Sequence, residues 1–412
     1  MIETRRNGVR SRDGIVLGVL AVELLAIVYF AATYDSLDFH IYMWGGEAVF
    51  DGKRLYAEQG LAHWFTNTPF AAVTFAPSAT LPLVVARVLW QLSSVAAFAI
   101  ACLMAMRLAG WRASRTAVCG VVAAGLALQP MYQTFFQGQV NLILLALILA
   151  DVWRASQNGG SRSVGIGVGI AAAMKLTPGI FIVFLFVAGR TKAAVTAGVT
   201  FVCCTAMGFV VAPGASWLYW TETFYDTSRV GVPYISNQSP NGAFARLLDG
   251  AENVGAWYHV LQIAFAVAGL GAAAVLARHD EWLGAVAVTG TTGLLVSPIS
   301  WAHHWVWVMP ALVLLVRGGR KARIAAGAAY VLFVLAPFWW TPHDGGPREY
   351  GFHGLMTLVA NCYLVAGLAF LGYMVRRACL AHRGGDSAGV AARHPRGHAP
   401  LSLPRGGRRQ VG

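Results

Sequence analysis

Long apolar runs, separated by short polar or basic segments, dominate this chain. An α-helix needs roughly 20 apolar residues to cross a hydrocarbon layer about 30 Å thick, and runs of about that length recur as far as residue 376. The pattern predicts an all-α polytopic membrane protein with ten full spans. These are residues 14–33, 82–107, 115–131, 139–154, 191–212, 257–278, 282–297, 302–317, 322–340 and 354–376.

Two apolar segments do not fit a full span. Residues 69–81 contain Pro69 and Pro77, and we expect them to dip into or lie on the outer leaflet. The segment VGIGVGIAAAMKLTPGIFIVFLFVAGRTK lies between two basic loops, and Lys175 and Pro178 divide it. It is predicted to form two short helices that meet inside the membrane, with the junction toward the outer side.

The charges orient these spans. The chain carries 31 Lys and Arg against 18 Asp and Glu, a formal net charge of +13. Most basic residues flank spans on one predicted side, which indicates a cytoplasmic face and not a nucleic-acid surface. The expected organisation is a cytoplasmic tail at 1–13, a membrane domain at 14–376 and a disordered cytoplasmic tail at 377–412. Residues 34–68 and 213–255 become outer loops of a plasma-membrane protein.

The first outer loop is unusually acidic. Only 12% of the chain is charged, yet residues 34–68 hold five carboxylates, namely Asp35, Asp38, Glu47, Asp51 and Glu58. Carboxylates concentrated beside a membrane boundary suggest a functional site. Asp38 is the candidate catalytic base, and a solvated acidic loop is the alternative.

Lys175 is the most informative single residue. An ammonium inside an apolar run is costly unless a counter-ion or a water-filled cavity receives it. A lipid phosphate would serve, whereas snorkelling or pairing with a buried carboxylate would give Lys175 a structural role. His303 and His304 are further candidates for donating hydrogen bonds to this phosphate. Adjacent helical residues point about 100° apart, so at most one of the two faces a cavity squarely.

Other polar residues converge on the same predicted outer face and are candidates for substrate binding. Helix caps and turns explain such residues individually, but they do not explain the convergence. The six cysteines have no metal-site spacing and imply no disulfide framework. The candidate substrate-binding residues are His40, Gln137, Gln139, Asn141, Asn237, Asn241, Ser300 and Trp301.

Six motifs, in their order and spacing, resemble glycosyltransferase family 87 over about residues 14–376. They are DFHIYMWGGEAVFDGKRLY, PFAAVTFAP, GQVN, MKLTP, NQSPNG and SPISWAHHW. The resemblance implies a GT-C-like membrane mannosyltransferase with a polyprenol-phosphate mannose donor. It also implies a phosphatidylinositol mannoside or lipomannan acceptor in the outer leaflet, inversion at the sugar carbon and an α-1,2 linkage.

The resemblance places the family's acidic residue of the first outer loop on Asp38. Asp35 and Asp38 are spaced DxxD, which departs from the DxD of many GT-C enzymes, and we predict neither a metal nor a cofactor. In the expected mechanism Asp38 removes the acceptor hydroxyl proton. Lys175 and His304, with His303 as substitute, stabilise the departing lipid phosphate.

Two alternatives remain. A transporter or flippase of a lipid-linked sugar would also contain broken helices and an intramembrane lysine. The sequence shows no internal repeat, however, and its polar residues gather at one face and not near the midplane. The other alternative is the same architecture with a different lipid-linked sugar as donor.

Overall fold

The computed structural model describes residues 2–49, 55–60, 62–157 and 161–393, and every regular element within them is helical. Short 3-10 turns join several helices, and one π-helical turn covers Tyr219–Thr223. The α-helices are α1 (Ile2–Thr33), α2 (Leu37–Ala48), α3 (Pro69–Ala79), α4 (Leu83–Leu108), α5 (Arg115–Leu126), α6 (Gln129–Gln137), α7 (Asn141–Ser156), α8 (Ile166–Met174), α9 (Ile180–Val187), α10 (Thr191–Val211), α11 (Pro213–Leu218), α12 (Pro240–Leu247), α13 (Trp257–Arg278), α14 (Trp282–Val296), α15 (Val308–Arg317), α16 (Arg320–Leu335), α17 (Leu355–Ala360) and α18 (Cys362–Arg393).

Five helical segments of the described chain are long and apolar enough to cross a membrane. Their outward side chains include Val22, Val210 and Val260, each more than two-thirds exposed, as expected for surfaces that face lipid. The fold is therefore all-helical and of membrane type. The five segments are Asp13–Thr33, Leu83–Leu108, Thr191–Val211, Trp257–Arg278 and Cys362–Arg383.

The other five predicted spans correspond to shorter helices. α5, α7, α14 and α16 have 12 to 16 residues, and residues 302–317 divide into a 3-10 helix and the 10-residue α15. Helices of this length cross a full bilayer only with help from their neighbours or from local thinning. The count of ten spans stays a prediction.

The two irregular apolar segments are short helices, as the sequence indicates. α3 begins at Pro69 and is capped by Thr68, whose Oγ1 accepts a hydrogen bond from the Ala71 amide at 3.2 Å. In the second segment α8 ends where Lys175 becomes extended, at φ −149° and ψ 122°. A 3-10 turn containing Pro178 then leads into α9.

Three predicted loops or tails are helical instead. Part of the first predicted outer loop is α2, and the segment that joins the predicted spans 115–131 and 139–154 belongs to α6. α18 continues through Arg393, so the predicted boundary at 376 matches no break in the chain, and residues 394–412 lie outside the described residues. Gly46 explains why α2 packs so closely on α3, because a Cβ there would lie 2.8 Å from the Phe75 carbonyl carbon.

Candidate active site

A cavity of about 1320 Å³ opens between α2, α6, the junction of α8 and α9, and the segments around residues 223–236 and 297–304. Its polar wall contains the candidate base and the candidate phosphate-binding residues. The two that are farthest apart in sequence, Asp38 and His304, are separated by more than 260 residues. The residues on this wall are Asp38, Tyr42, His63, Asn67, Gln129, Gln133, Gln137, Gln139, Lys175, Trp301, His303 and His304.

Asp38 lies in the first turn of α2, and its side chain is held by Gln139. The Nε2 of Gln139 donates a hydrogen bond to Asp38 Oδ2 at 2.7 Å. Tyr42, one helical turn after Asp38, donates its hydroxyl hydrogen to Gln139 Oε1, also at 2.7 Å. Residues i and i+4 share one face of a helix, so Asp38 and Tyr42 both face the α6–α7 turn.

Burial raises the pKa of the Asp38 carboxyl above its ordinary value. The hydrogen bond from Gln139 opposes the rise most, followed by the electrostatic effects of Lys175 and His63. A carboxyl whose pKa lies nearer to neutrality is a more effective proton acceptor than an ordinary aspartate.

Lys175 lies at the broken junction of α8 and α9, where its ammonium faces the cavity. Nζ donates to Gln139 Oε1 at 3.4 Å and to Asn141 Oδ1 at 3.3 Å. It also lies 2.9 Å from His304 Nε2, which accepts because an ammonium has only donors. Lys175 thus has polar neighbours and a cavity, the two conditions that make an intramembrane charge tolerable.

The two adjacent histidines both line the cavity, but they differ in their contacts. His304 contacts Lys175, whereas His303 is 5% exposed and both of its ring nitrogens lack partners in the described part of the chain. The ring planes are inclined by 80°. The carbonyl of His303 accepts from Asn141 Nδ2 at 2.8 Å, which ties this 3-10 helix to the start of α7.

Five predicted substrate-binding residues do not line this cavity, namely His40, Asn141, Asn237, Asn241 and Ser300. His40 Nε2 lies 3.0 Å from Asp35 Oδ1, and Arg87 donates to the same carboxylate. His40 and Arg87 together lower the pKa of Asp35, mainly through hydrogen bonds. This cluster fastens the start of α2 to α4, so His40 is better interpreted as structural.

Asn237 and Ser300 also lie away from the cavity lining. The Asn237 side chain donates to the carbonyl of Val232 and accepts from the Ser300 amide at 2.9 Å. Ser300 Oγ donates to the Leu294 carbonyl at 2.8 Å. Both are fully buried and join two segments of backbone. Asn241 lies in the first turn of α12, also away from the cavity lining, whereas Trp301 lines it.

Several cavity residues escaped the sequence analysis. Gln133 and Gln129 lie one and two turns before Gln137, so all three share one face of α6. This signal is visible once the segment is read as a helix. The position of Arg229 beside the cavity is visible only in the folded structure. Arg229 donates to the Tyr56 carbonyl at 2.7 Å and lies over the Trp64 ring at 4.6 Å, which joins the two outer segments above the cavity.

A possible metal site was also considered. No group of three or more histidine, cysteine or acidic side chains among the described residues is arranged to hold an ion. A metal-free reaction stays a prediction.

Comparisons with known proteins agree with these features. The sequence model of glycosyltransferase family 87 matches residues 65–298. A polyprenol-phosphate-mannose-dependent alpha-(1-2)-phosphatidylinositol mannoside mannosyltransferase of Mycobacterium tuberculosis is 33% identical over 357 residues, which cover 82% of each chain. A polyprenol-phosphate-mannose-dependent alpha-(1-2)-phosphatidylinositol pentamannoside mannosyltransferase of Mycolicibacterium smegmatis is 32% identical over 381 residues, which cover 82% of this chain and 85% of the relative. No solved structure matches.

Proposed function

Because this chain belongs to glycosyltransferase family 87, we propose that it transfers mannose from polyprenol-phosphate mannose to a phosphatidylinositol mannoside. The product has an α-1,2 linkage, and the sugar carbon is inverted. One observation carries the proposal: a carboxylate and an ammonium face the same cavity and are joined through a single amide, that of Gln139.

Asp38 is the proposed base. It accepts the proton of the acceptor hydroxyl as that oxygen attacks the anomeric carbon of mannose. Asp35 is unsuited to this role because it is engaged by Arg87 and His40 outside the cavity lining. Inversion follows because the hydroxyl attacks from the side opposite the leaving phosphate.

Lys175 and His304 are the proposed partners of the donor phosphate. As the bond to mannose breaks, negative charge develops on the phosphate oxygens, and a cation fixed beforehand lowers the barrier. Among the described residues, the hydrogen-bonding partners of Lys175 are neutral, namely Gln139, Asn141 and His304. Its charge therefore remains available to an anionic ligand.

The apolar side of the cavity supports a lipid-linked donor. Next to Lys175 the lining changes to Ile180 and Val183 of α9 and to Ala266 and Leu270 of α13. Ala266 and Leu270 also line a groove of about 630 Å³ that continues along α9 and α13 as far as Gly189 and Arg278. A polyprenyl chain in this groove would leave its phosphate beside Lys175.

The groove suits a lipid tail that extends beyond one leaflet of the membrane. Ala266 is near the middle of α13, and the groove follows the half of the helix that ends at Arg278. That half is roughly 18 Å long at 1.5 Å per residue. A lipid tail confined to the leaflet beside the polar cavity would end near the bilayer midplane, whereas a polyprenyl chain continues past it.

The opposite side of the cavity suits the acceptor. Its lining includes Tyr132 and Phe136 of α6, with Trp339 and Trp340 from the 3-10 turn after α16. Aromatic faces pack against the apolar faces of sugar rings, and Gln133 and Gln137 supply amide donors and acceptors nearby. This part of the proposal concerns the class of acceptor, a glycolipid with exposed sugars.

The proposed architecture is GT-C-like, with ten spans, the short broken pair and an active site at the extracytoplasmic face of the plasma membrane. The apolar outer surface of the five long helices supports insertion in a bilayer. The predicted basic inner segments and acidic outer segments support the orientation.

Replacement of the base tests the function. Asp38→Asn keeps the shape of the side chain but cannot accept the proton, and loss of a general base costs roughly 10²- to 10⁴-fold in rate. The measurement is transfer of labelled mannose from polyprenol-phosphate mannose to a phosphatidylinositol mannoside in nanodiscs, with and without EDTA. Binding of the donor should change far less.

Asp35→Asn is the matched control. It removes the partner of Arg87, so we expect lower thermal stability but a kcat close to that of the parent enzyme. An Asp38→Asn enzyme with the parental rate would contradict the proposed mechanism. Faster transfer from another polyprenol-phosphate sugar would contradict the proposed identity of the donor sugar but not the proposed roles of Asp38 and Lys175.

A further inference from the structure

The side chain of Gln139 lies between the proposed base and the proposed phosphate-binding cation. Its Nε2 donates to Asp38 Oδ2 at 2.7 Å, and its Oε1 accepts from Tyr42 at 2.7 Å and from Lys175 at 3.4 Å. Gln139 is 8% exposed. Both the oxygen and the nitrogen of this amide therefore have protein partners before any substrate arrives.

Chemistry on each side fixes the orientation of this amide. The Tyr42 hydroxyl and the Lys175 ammonium present hydrogens to Oε1, while the Asp38 carboxylate accepts from Nε2. If the amide were flipped, its NH₂ group would face two hydrogen-bond donors and its oxygen would face a carboxylate, and both contacts are unfavourable. Asp38 Oδ2 thus accepts a hydrogen bond from Gln139, and Oδ1 has no protein donor in the described part of the chain.

The backbone also holds Gln139 in place. Gly138 ends α6 in the left-handed region, at φ 73°, and a Cβ there would lie 2.5 Å from Phe39 Cβ. Glycine therefore permits the turn to rest directly against α2, next to Asp38. The indole of Trp90 donates to the Gly138 carbonyl at 2.8 Å and fixes the turn from the other side.

We propose that Gln139 is a positioning residue that sets the separation of the base from the phosphate-binding cation and selects Asp38 Oδ1 as the oxygen that accepts the proton. The inference rests on the proposed function. Asp38 and Lys175 come from distant parts of the sequence, and Gln139 is the side chain that both contact. One amide group and two hydrogen bonds then separate base from cation, which leaves room for an acceptor hydroxyl, an anomeric carbon and a phosphate oxygen between them.

The test is Gln139→Met, which keeps the length of the side chain and removes its hydrogen bonds. We expect kcat to fall about 10²-fold, the size of loss typical when reacting groups are misplaced by about 1 Å, with a smaller change in the KM for polyprenol-phosphate mannose. The acid limb of the kcat profile should move to higher pH. Gln139 lowers the Asp38 pKa, and loss of its hydrogen bond leaves burial less opposed.

The other groups that face Asp38 are Lys175, His63 and Tyr42, and all remain in this variant. Tyr42→Phe is a milder second variant that removes one of the two donors to Oε1. It should shift the profile in the same direction by less. If Gln139→Met fails to accumulate, Tyr42→Phe still tests the inference.

Gln238→Met is the control for loss of a buried amide. Gln238 is fully buried and donates to the carbonyls of Ile235 and Ala360, and it lies outside the cavity lining. We expect it to lower the melting temperature without moving the acid limb.

A Gln139→Met enzyme with the parental kcat and pH profile would overturn the inference, as would a loss confined to stability or to KM. If Asp38→Asn is inactive while Gln139→Met behaves as the parent, the inference fails and the proposed function stands. If Asp38→Asn transfers mannose at the parental rate, the proposed mechanism itself fails.

Discussion

At Lys175 the free-energy cost of burying a charge is directly related to the proposed binding of the donor phosphate. The Lys175 ammonium lies among apolar helices, and the groups that solvate it are neutral. Desolvating a charge without a directly paired counter-ion is unfavourable, so the site is expected to bind an anion readily. A lipid phosphate both repays this cost and brings the donor to the cavity.

We predict that Lys175→Ala accumulates in the membrane like the parent protein but loses roughly 10²- to 10³-fold in mannosyl transfer, the range typical for loss of one group that stabilises developing charge. Lys175→Arg should retain part of the activity because the charge remains while the geometry changes. The assay is transfer of labelled mannose, with KM for the donor measured alongside kcat.

Lys321→Ala is the matched control, since Lys321 is exposed at the start of α16 and distant from the cavity lining. Its kcat should equal that of the parent. Full activity in Lys175→Ala would assign Lys175 a structural role instead.

Single residues also show where sequence reasoning succeeds and where it fails. Asp38, Lys175 and His304 stand out because a charged or titratable side chain near an apolar run has few harmless explanations. The position of His40 away from the cavity is not evident from the sequence, because its segment resembles a loop and is a helix in the structure. On a helix a residue two positions from Asp38 points about 200° away, toward Asp35 and Arg87 instead of the cavity.

At the scale of elements, the broken pair α8 and α9 was predictable because two basic flanks require an even number of crossings, and each half is too short to cross. α2 and α6 were not predictable as helices from the same reasoning. Their stability comes from packing, with α2 against α3 through Gly46 and the end of α6 against Phe39 through Gly138. Such close approaches depend on partners that one segment of sequence does not reveal.

The groove between α9 and α13 yields a prediction at this scale. Ala274 lines the groove, so Ala274→Phe should fill part of it and displace the end of a long polyprenyl chain. We expect KM for a long-chain polyprenol-phosphate mannose to rise several-fold while kcat changes little, because distant binding energy is lost equally in ground and transition states. A short-chain donor that ends before Ala274 should be unaffected.

Ala268→Phe provides the same chemical change on the same helix. Ala268 is exposed and lies outside the groove lining, so both donors should behave as with the parent. Equal effects of Ala274→Phe on long and short donors would contradict the assignment of the groove to the polyprenyl chain. A change in acceptor KM alone would assign it to the acceptor.

At the scale of the whole molecule, three arginines predicted to be cytoplasmic lie near the end of α7 or the start of α14. Arg107 lies over the Trp153 ring at 4.9 Å, and Arg190 donates to the Ala155 carbonyl, two residues further along α7. Arg190 also lies 4.9 Å from the Trp282 ring, and the neighbouring Glu281 accepts from Arg377 at 2.6 Å. These three arginines come from segments far apart in sequence and define a basic face, whose cytoplasmic position stays a prediction.

The orientation of that face determines which leaflet supplies the substrates. In a background in which the native cysteines are replaced, Glu222→Cys and Lys321→Cys place single thiols at exposed positions of the two predicted sides. Glu222 adjoins the cavity residues Thr223 and Phe224, and Lys321 lies in a basic segment. A membrane-impermeant maleimide added to intact cells should label Glu222→Cys alone, and permeabilisation should expose both. Labelling of Lys321→Cys alone would place the cavity in the cytoplasm. The donor and acceptor would then have to be taken from the inner leaflet, even though the chemistry assigned to Asp38 and Lys175 would be unchanged.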